Sequence, residues 1–178
     1  MVLHSIQSIY KIRSAREEDI GSLTEVAIEC FETANRGMCH DDDLDEFLAL
    51  TYTEANFKRE LQMPKSDYFL LEIDGEPVGY AWLAAGETPD CVKGVDPVQL
   101  VRFYIRSQWQ GKGSGRVLMK HCQKYARSMG YRTMYLSVWE HNVHAQLFYK
   151  GYGFQHVGEH IFQIGLDPQV DFWMEASL

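Results

Sequence analysis

Gln110-Gly111-Lys112-Gly113-Ser114-Gly115-Arg116 separates a strand-like run from a helix-like run, and the architecture of this chain turns on it. Three glycines at alternate positions let the backbone curl tightly and leave its N–H groups uncovered by side chains. Such N–H groups at the start of a helix form an anion site, and a pyrophosphate is its natural occupant. Lys112 and Arg116 add positive charge nearby. A plain strand-to-helix turn is the alternative on this stretch alone. Two familiar phosphate loops fail on the residues themselves. A Walker loop needs Ser or Thr after Gly-Lys, and Gly111-Lys112 is followed by Gly113. The dinucleotide fingerprint G-x-G-x-x-G fails because position 116 is Arg and position 118 is Leu.

Val98 to Ile105 reads as the strand before the loop. The helix after it carries Val117, Leu118, His121, Cys122 and Tyr125 on one face and stops near Gly130. Thr133 to Val138 is a further strand and Val143 to Lys150 a short helix ended by Gly151-Tyr152-Gly153. Two β segments, 154–163 and 170–176, come last. On the N-terminal side, Tyr10 to Arg13 alternates as an opening strand, and Ser14-Ala15-Arg16-Glu17 fits a capping box. Ile20, Leu23, Val26, Ala27, Cys30 and Phe31 keep helical spacing to about Thr33. Leu44 to Leu61 is helical with a break near Thr51-Tyr52-Thr53. Tyr68–Ile73 and Val78–Leu83 form a hairpin about Asp74-Gly75. Residues 86–97 lack periodicity and read as a surface loop. The order β-α-α-β-β-β-α-β-α-β-β predicts a mixed α/β sheet domain.

The chain has 178 residues, 46% hydrophobic and 24% charged, the balance of one globular domain over 1–178 with no linker or repeat. A net charge of −8 argues against a nucleic-acid partner and favours a small cationic substrate. Cysteines 30, 39, 91 and 122 show no paired spacing, which points to a reducing, cytoplasmic setting. The apolar runs are too short for a membrane span, and Met1–Ser5 carries no export signal. Cys39-His40-Asp41 lacks a second ligand cluster, so no metal is expected.

Gln110, Gly113 and Gly115 fit the pattern Q-x-x-G-x-G. One helix and one strand later come Leu136 to Asn142, then Ala145, Phe148-Tyr149 and Gly153-Phe154. Together these stretches, over residues 98–156, resemble the GNAT superfamily of N-acetyltransferases. Val138-Trp139-Glu140, Gly158-Glu159-His160 and Asp171-Phe172-Trp173-Met174 are similar to the bacterial spermidine/spermine N-acetyltransferases. The resemblance implies an acyl-CoA N-acyltransferase fold, a mostly antiparallel mixed sheet flanked by helices. It implies transfer of acetyl from acetyl-coenzyme A to a primary amine, a polyamine among the candidates, and allows a homodimer.

By the same resemblance, Gln110, Gly111, Lys112, Gly113, Ser114, Gly115 and Arg116 bind the cofactor's pyrophosphate. Phe103, Tyr104 and Ile105 flank its pantetheine arm, Asn142 hydrogen-bonds that arm or the phosphate side, and Tyr149 sits near the sulfur as general acid. The general base is open. An alkylammonium of pKa about 10.4 must lose a proton, at about 4.6 kcal/mol at pH 7. Relatives often carry Glu where this chain has Val101. Glu140 is one replacement, and Asp96 with a water chain another. Asp41-Asp42-Asp43, Asp45 and Glu46 would attract a polyamine, or simply form a solvated helix start. Tyr80, Trp82 and Trp139 line a substrate groove or pack in the core. Two other functions stay open: acetylation of a protein N-terminus or lysine, and an acyl-coenzyme A sensor without turnover.

Overall fold

The computed structural model describes residues 10–178, so the reading of Met1–Ser5 lies outside the described residues. The alternating runs pair into one sheet. Its strands are β1 (Tyr10–Ser14), β2 (Ser66–Ile73), β3 (Glu76–Ala84), β4 (Pro97–Ile105), β5 (Thr133–Trp139), β6 (Gln155–Ile164) and β7 (Asp167–Ser177). They lie side by side in the order β1-β2-β3-β4-β5-β7-β6. Asp74 and Gly75, at φ 52° and 86°, supply the left-handed pair that a two-residue hairpin requires between β2 and β3. Neighbouring strands are antiparallel except β4 and β5. A parallel step needs a crossover, and α4 (Ser114–Ser128) provides it.

Side chains alternate between the two faces of the sheet, and each face has its own helices. Tyr68, Leu70, Tyr80 and Trp82 pack against α1 (Ile20–Asn35), α2 (Asp41–Thr51) and α3 (Glu54–Gln62). Phe69, Leu71, Leu83 and Leu136 pack on the opposite face, with Leu118, Met119 and Cys122 of α4 and Tyr149 of α5 (Val143–Lys150).

The pairing of β4 is irregular at one point. Trp82 lies opposite Arg102 and Leu83 opposite Leu100, so Val101 is an extra residue, a β-bulge. Both Val101 and Arg102 therefore contact the core beneath α1–α3. A bulge bends its strand and ends regular pairing. Here β4 pairs with β5 only at Pro97–Gln99 with Thr133–Tyr135, and beyond that the two strands part.

Arg102 anchors the bend. Its guanidinium donates to both oxygens of Glu60 at 2.8 and 3.1 Å and to the Tyr68 hydroxyl at 3.0 Å. Tyr68 in turn donates to Glu60 at 2.6 Å. The guanidinium carbon lies 4.7 Å from the Trp82 ring centroid, 5.1 Å from Tyr52 and 5.4 Å from Phe57. A buried charge is tolerated because every side of it meets a carboxylate, a hydroxyl or an aromatic face.

Several sequence expectations need correction. Ser14 is the last residue of β1 and caps nothing; Arg16 N–H instead donates to the Asp19 carboxylate at 2.8 Å. The tertiary ion pair of Asp19 with Arg13, at 2.7 Å, draws the first turn to that position. Val117 turns outward and is 36% exposed, because the buried stripe of α4 runs through Leu118, Met119 and Cys122. Of the two readings of Tyr80 and Trp82, packing in the core is the one that holds. The long helical stretch does break as expected, where Thr53 Oγ1 accepts from Asn56 N–H at 3.1 Å and starts α3.

Removing one partner of the buried pair leaves an uncompensated charge. Arg102→Met is expected to cost about 3–5 kcal/mol, and the double variant Arg102→Met/Glu60→Leu to recover most of it. Urea denaturation of the two single variants and the double variant measures this coupling.

Candidate active site

Where β4 and β5 part, a groove of about 840 Å³ passes through the sheet. Phe103, Gly113, Gly115, Asn142, Phe148 and Tyr149 line its arm on the α4 and α5 side. Cys30, Phe31, Val101, Phe162, Gln169 and Asp171 line its arm on the α1 side.

The glycine loop closes the first arm. Gly111 and Gly113 stand at φ 71° and 95°, and a Cβ added to either would meet no heavy atom within 4 Å. They leave an open cradle that any side chain would intrude upon. Helical bonding begins with Val117 N–H to the Gly113 carbonyl, so the N–H groups of Ser114, Gly115 and Arg116 have no partner within α4. Ser114 Oγ is buried with no hydrogen-bond partner among the described residues. A Cβ at Gly115 would meet the Phe148 ring at ordinary contact distance, 3.5 Å. Gln110 secures the loop to the strand by donating to the Ile105 carbonyl at 2.8 Å. Beyond Gln99, the β4 edge that faces β5 has no strand partner among the described residues. A free strand edge leading to a cradle of N–H groups fits an elongated ligand with amide groups and a diphosphate.

Three expected residues lie outside this lining. Lys112 folds back so that its ammonium is 5.3 Å from the Trp109 ring centroid. Ser114 is wholly buried as the first residue of α4. Glu140 has its carboxylate 3.7 Å from His141 Nε2 and is not part of the groove wall. Asp96 lines a separate small pocket beside Met129 and Tyr131. Within the acidic run, Arg36 binds Asp45 at 2.8 Å and Asp41 at 3.3 Å. None of residues 41–46 lines the groove.

Tyr149 lies at the fork of the strands, 9% exposed, with its ring 6.4 Å from that of Phe103. Burial, helped by Tyr104 and Cys122, pushes its phenol well above the usual range. Asn142 caps α5, its Oδ1 accepting from Ala145 N–H at 3.1 Å, and also lines the groove.

Sequence reasoning missed Asp171 as a site residue. It lies on β7 opposite Trp139, the last residue of β5, and opposite His160 of β6. It is 8% exposed and is the one carboxylate among the described residues of the groove wall. Burial raises its pKa, while His160 and the Ser137 hydroxyl partly offset this. The available signal was an acidic residue amid the apolar stretch Val170-Asp171-Phe172-Trp173-Met174. Such a residue is costly to bury without a use.

The model of the acetyltransferase (GNAT) family matches residues 21–154. An uncharacterized N-acetyltransferase from Lactobacillus delbrueckii subsp. lactis is 30% identical over 94% of this chain and 97% of its own length. A spermine/spermidine N(1)-acetyltransferase from Bacillus subtilis is 36% identical over 50% of this chain and 59% of its own. In three dimensions, the chain is similar to PaiA N-acetyltransferase from Thermoplasma acidophilum, solved in complex with coenzyme A. That match has a TM-score of 0.78 at 20% identity and covers 96% of this chain and 99% of that one.

The open cradle makes a direct test of the loop. Gly113→Ala places a methyl group where the loop faces the groove and strains a left-handed backbone. Coenzyme A affinity is expected to fall at least about tenfold, or about 1.4 kcal/mol, by titration calorimetry.

Proposed function

The chain belongs to the acetyltransferase (GNAT) family, and we propose that it acetylates a primary amine by direct attack in a ternary complex, with Tyr149 as general acid. Acetyl-coenzyme A is the co-substrate and supplies the acetyl group as a thioester. The observation that carries the reading is the fork itself, with an open N–H cradle at one end and a buried tyrosine where the strands divide.

Each residue then has a task. The N–H groups from Gly113 to Arg116 hold the diphosphate at a helix N-terminus. The free edge of Phe103, Tyr104 and Ile105 aligns the amide-bearing arm as an added strand would. One of its N–H groups donates to the thioester oxygen as negative charge develops there. Asn142 uses Oδ1 to cap α5, which leaves its Nδ2 to donate to the same ligand.

The acceptor nitrogen bonds to the acetyl carbon while the carbon–sulfur bond breaks. An ammonium must shed two protons to become an amide; one goes to a base and one reaches the leaving sulfur. Tyr149 gives its phenolic proton to the sulfur and takes the one released by the new amide nitrogen. A phenol is protonated at neutral pH in any case; burial raises its pKa further, so the proton leaves only as the thiolate forms beside it.

A polyamine acceptor is a second reading, favoured by the name of the Bacillus subtilis relative, whose match spans half of this chain. A cytoplasmic setting accords with four cysteines that are all free.

Tyr149→Phe keeps the ring and removes the proton. Its kcat is expected to fall about 100-fold, with coenzyme A affinity retained. Amine-dependent release of free thiol, together with a binding titration, measures the two quantities. Unchanged kcat would remove Tyr149 from the mechanism.

A further inference from the structure

Which amine the second arm accepts is written in its walls. Within β7, Phe172 and Met174 pack into the core under α4 and α5. Asp171 and Trp173 therefore project to the α1 side of the sheet. On β6, His160 stacks on Trp173 at 4.3 Å, which puts His160, Phe162 and Ile164 on that side too.

Most of this arm is apolar: Cys30, Phe31, Ala34, Val101, Phe162 and Ile164. The rings of Phe31 and Phe162 lie 6.4 Å apart, and Phe47 stacks behind Phe31 at 4.8 Å. Phe47 also meets Phe162 at 5.6 Å, so the aromatic wall is backed and held in place. Asn35, Tyr104, Ser137, Gln169 and Asp171 are polar, the Arg102 cation is held by Glu60, and Asp171 brings the only negative charge among the described residues of the wall.

Asp171 and Tyr149 line the same groove. Trp139, opposite Asp171, ends β5 at the wide end of the fork. Tyr104 lines the groove with both residues, its phenol raised chiefly by burial.

We propose that the acceptor is a single amine carried on an apolar or aromatic group, with the group against Phe31 and Phe162 and the ammonium facing Asp171, which takes its proton. This rests on the acetyl-transfer reading above and names the base that Val101 does not supply. The proton balance closes: one ammonium proton passes to the Asp171 carboxylate, and the other reaches sulfur through Tyr149.

The same walls disfavour a polyamine. Every further ammonium brought into this arm would need its own carboxylate, and the arm has one. Asp41 and Asp45 of α2 are bound to Arg36, and none of residues 41–46 lines the groove. An apolar substituent gains free energy from the same surface, through the area it removes from water.

The test uses the full chain with acetyl-coenzyme A and follows thiol release with 2-phenylethylamine, n-hexylamine, putrescine, spermidine and spermine. The kcat/KM for 2-phenylethylamine is expected to exceed that for spermidine by at least about tenfold. Phe31→Ala is expected to raise KM for 2-phenylethylamine with little change in kcat. Asp171→Asn is expected to lower kcat about 100-fold while coenzyme A binding persists, and Asp171→Glu to restore part of it. Spermidine equal to or better than 2-phenylethylamine overturns the acceptor class and leaves acetyl transfer standing. Full activity in Asp171→Asn overturns its role as base. Thiol release with none of the five amines, despite coenzyme A binding, overturns both this acceptor and the small-amine reading beneath it.

Discussion

Hydrogen bonding between β4 and β5 stops after three residue pairs, and the groove depends on that interruption. A continuous parallel pairing would seal the sheet, satisfy the edge of β4 and leave no passage between its faces. The extra residue at Val101 prevents this by bending β4, and Arg102 fixes the bend from the α3 side. The constraint is mutual. Arg102 can be buried only because Glu60, Tyr68 and three aromatic rings surround it, so the position of α3 and the opening of the fork are set together.

The fork divides the labour of the site between two faces of one sheet. On the α4 side the requirement is for unpaired backbone donors, and the glycine loop with the start of α4 meets it. On the α1 side the surface is largely apolar, with a single buried carboxylate. Tyr149 and Tyr104 stand between, both kept protonated by burial. Low polarity strengthens each remaining electrostatic contact, which is why so few charged groups suffice in a groove of this size.

Periodicity and turn chemistry made the strands, the helices and the hairpin at Asp74-Gly75 legible, because these are local properties. The glycine spacing from 110 to 115, with Asn142 and Tyr149 downstream, was equally legible, since the loop, the cap and the short helix each span a few residues. One local reading failed where a distant partner intervened. The first turn after β1 follows the Arg13–Asp19 ion pair and not the Ser14 cap. Of the two readings of Tyr80 and Trp82, core packing is the one the structure has, because β3 is covered by α1 and α3.

The order of elements and the glycine loop with its open backbone are written in neighbouring residues, so the chain's letters were enough to read them. Which carboxylate reaches the groove is settled only in three dimensions. Glu140, Asp96, the 41–46 run and Asp171 are chemically alike in a line of letters. Only the pairing of β7 with both β5 and β6 brings Asp171 to the groove, while Arg36, at the end of α1, ties up Asp41 and Asp45. The physical reason is that a carboxylate's role depends on its burial and its neighbours, and strands distant in sequence supply both.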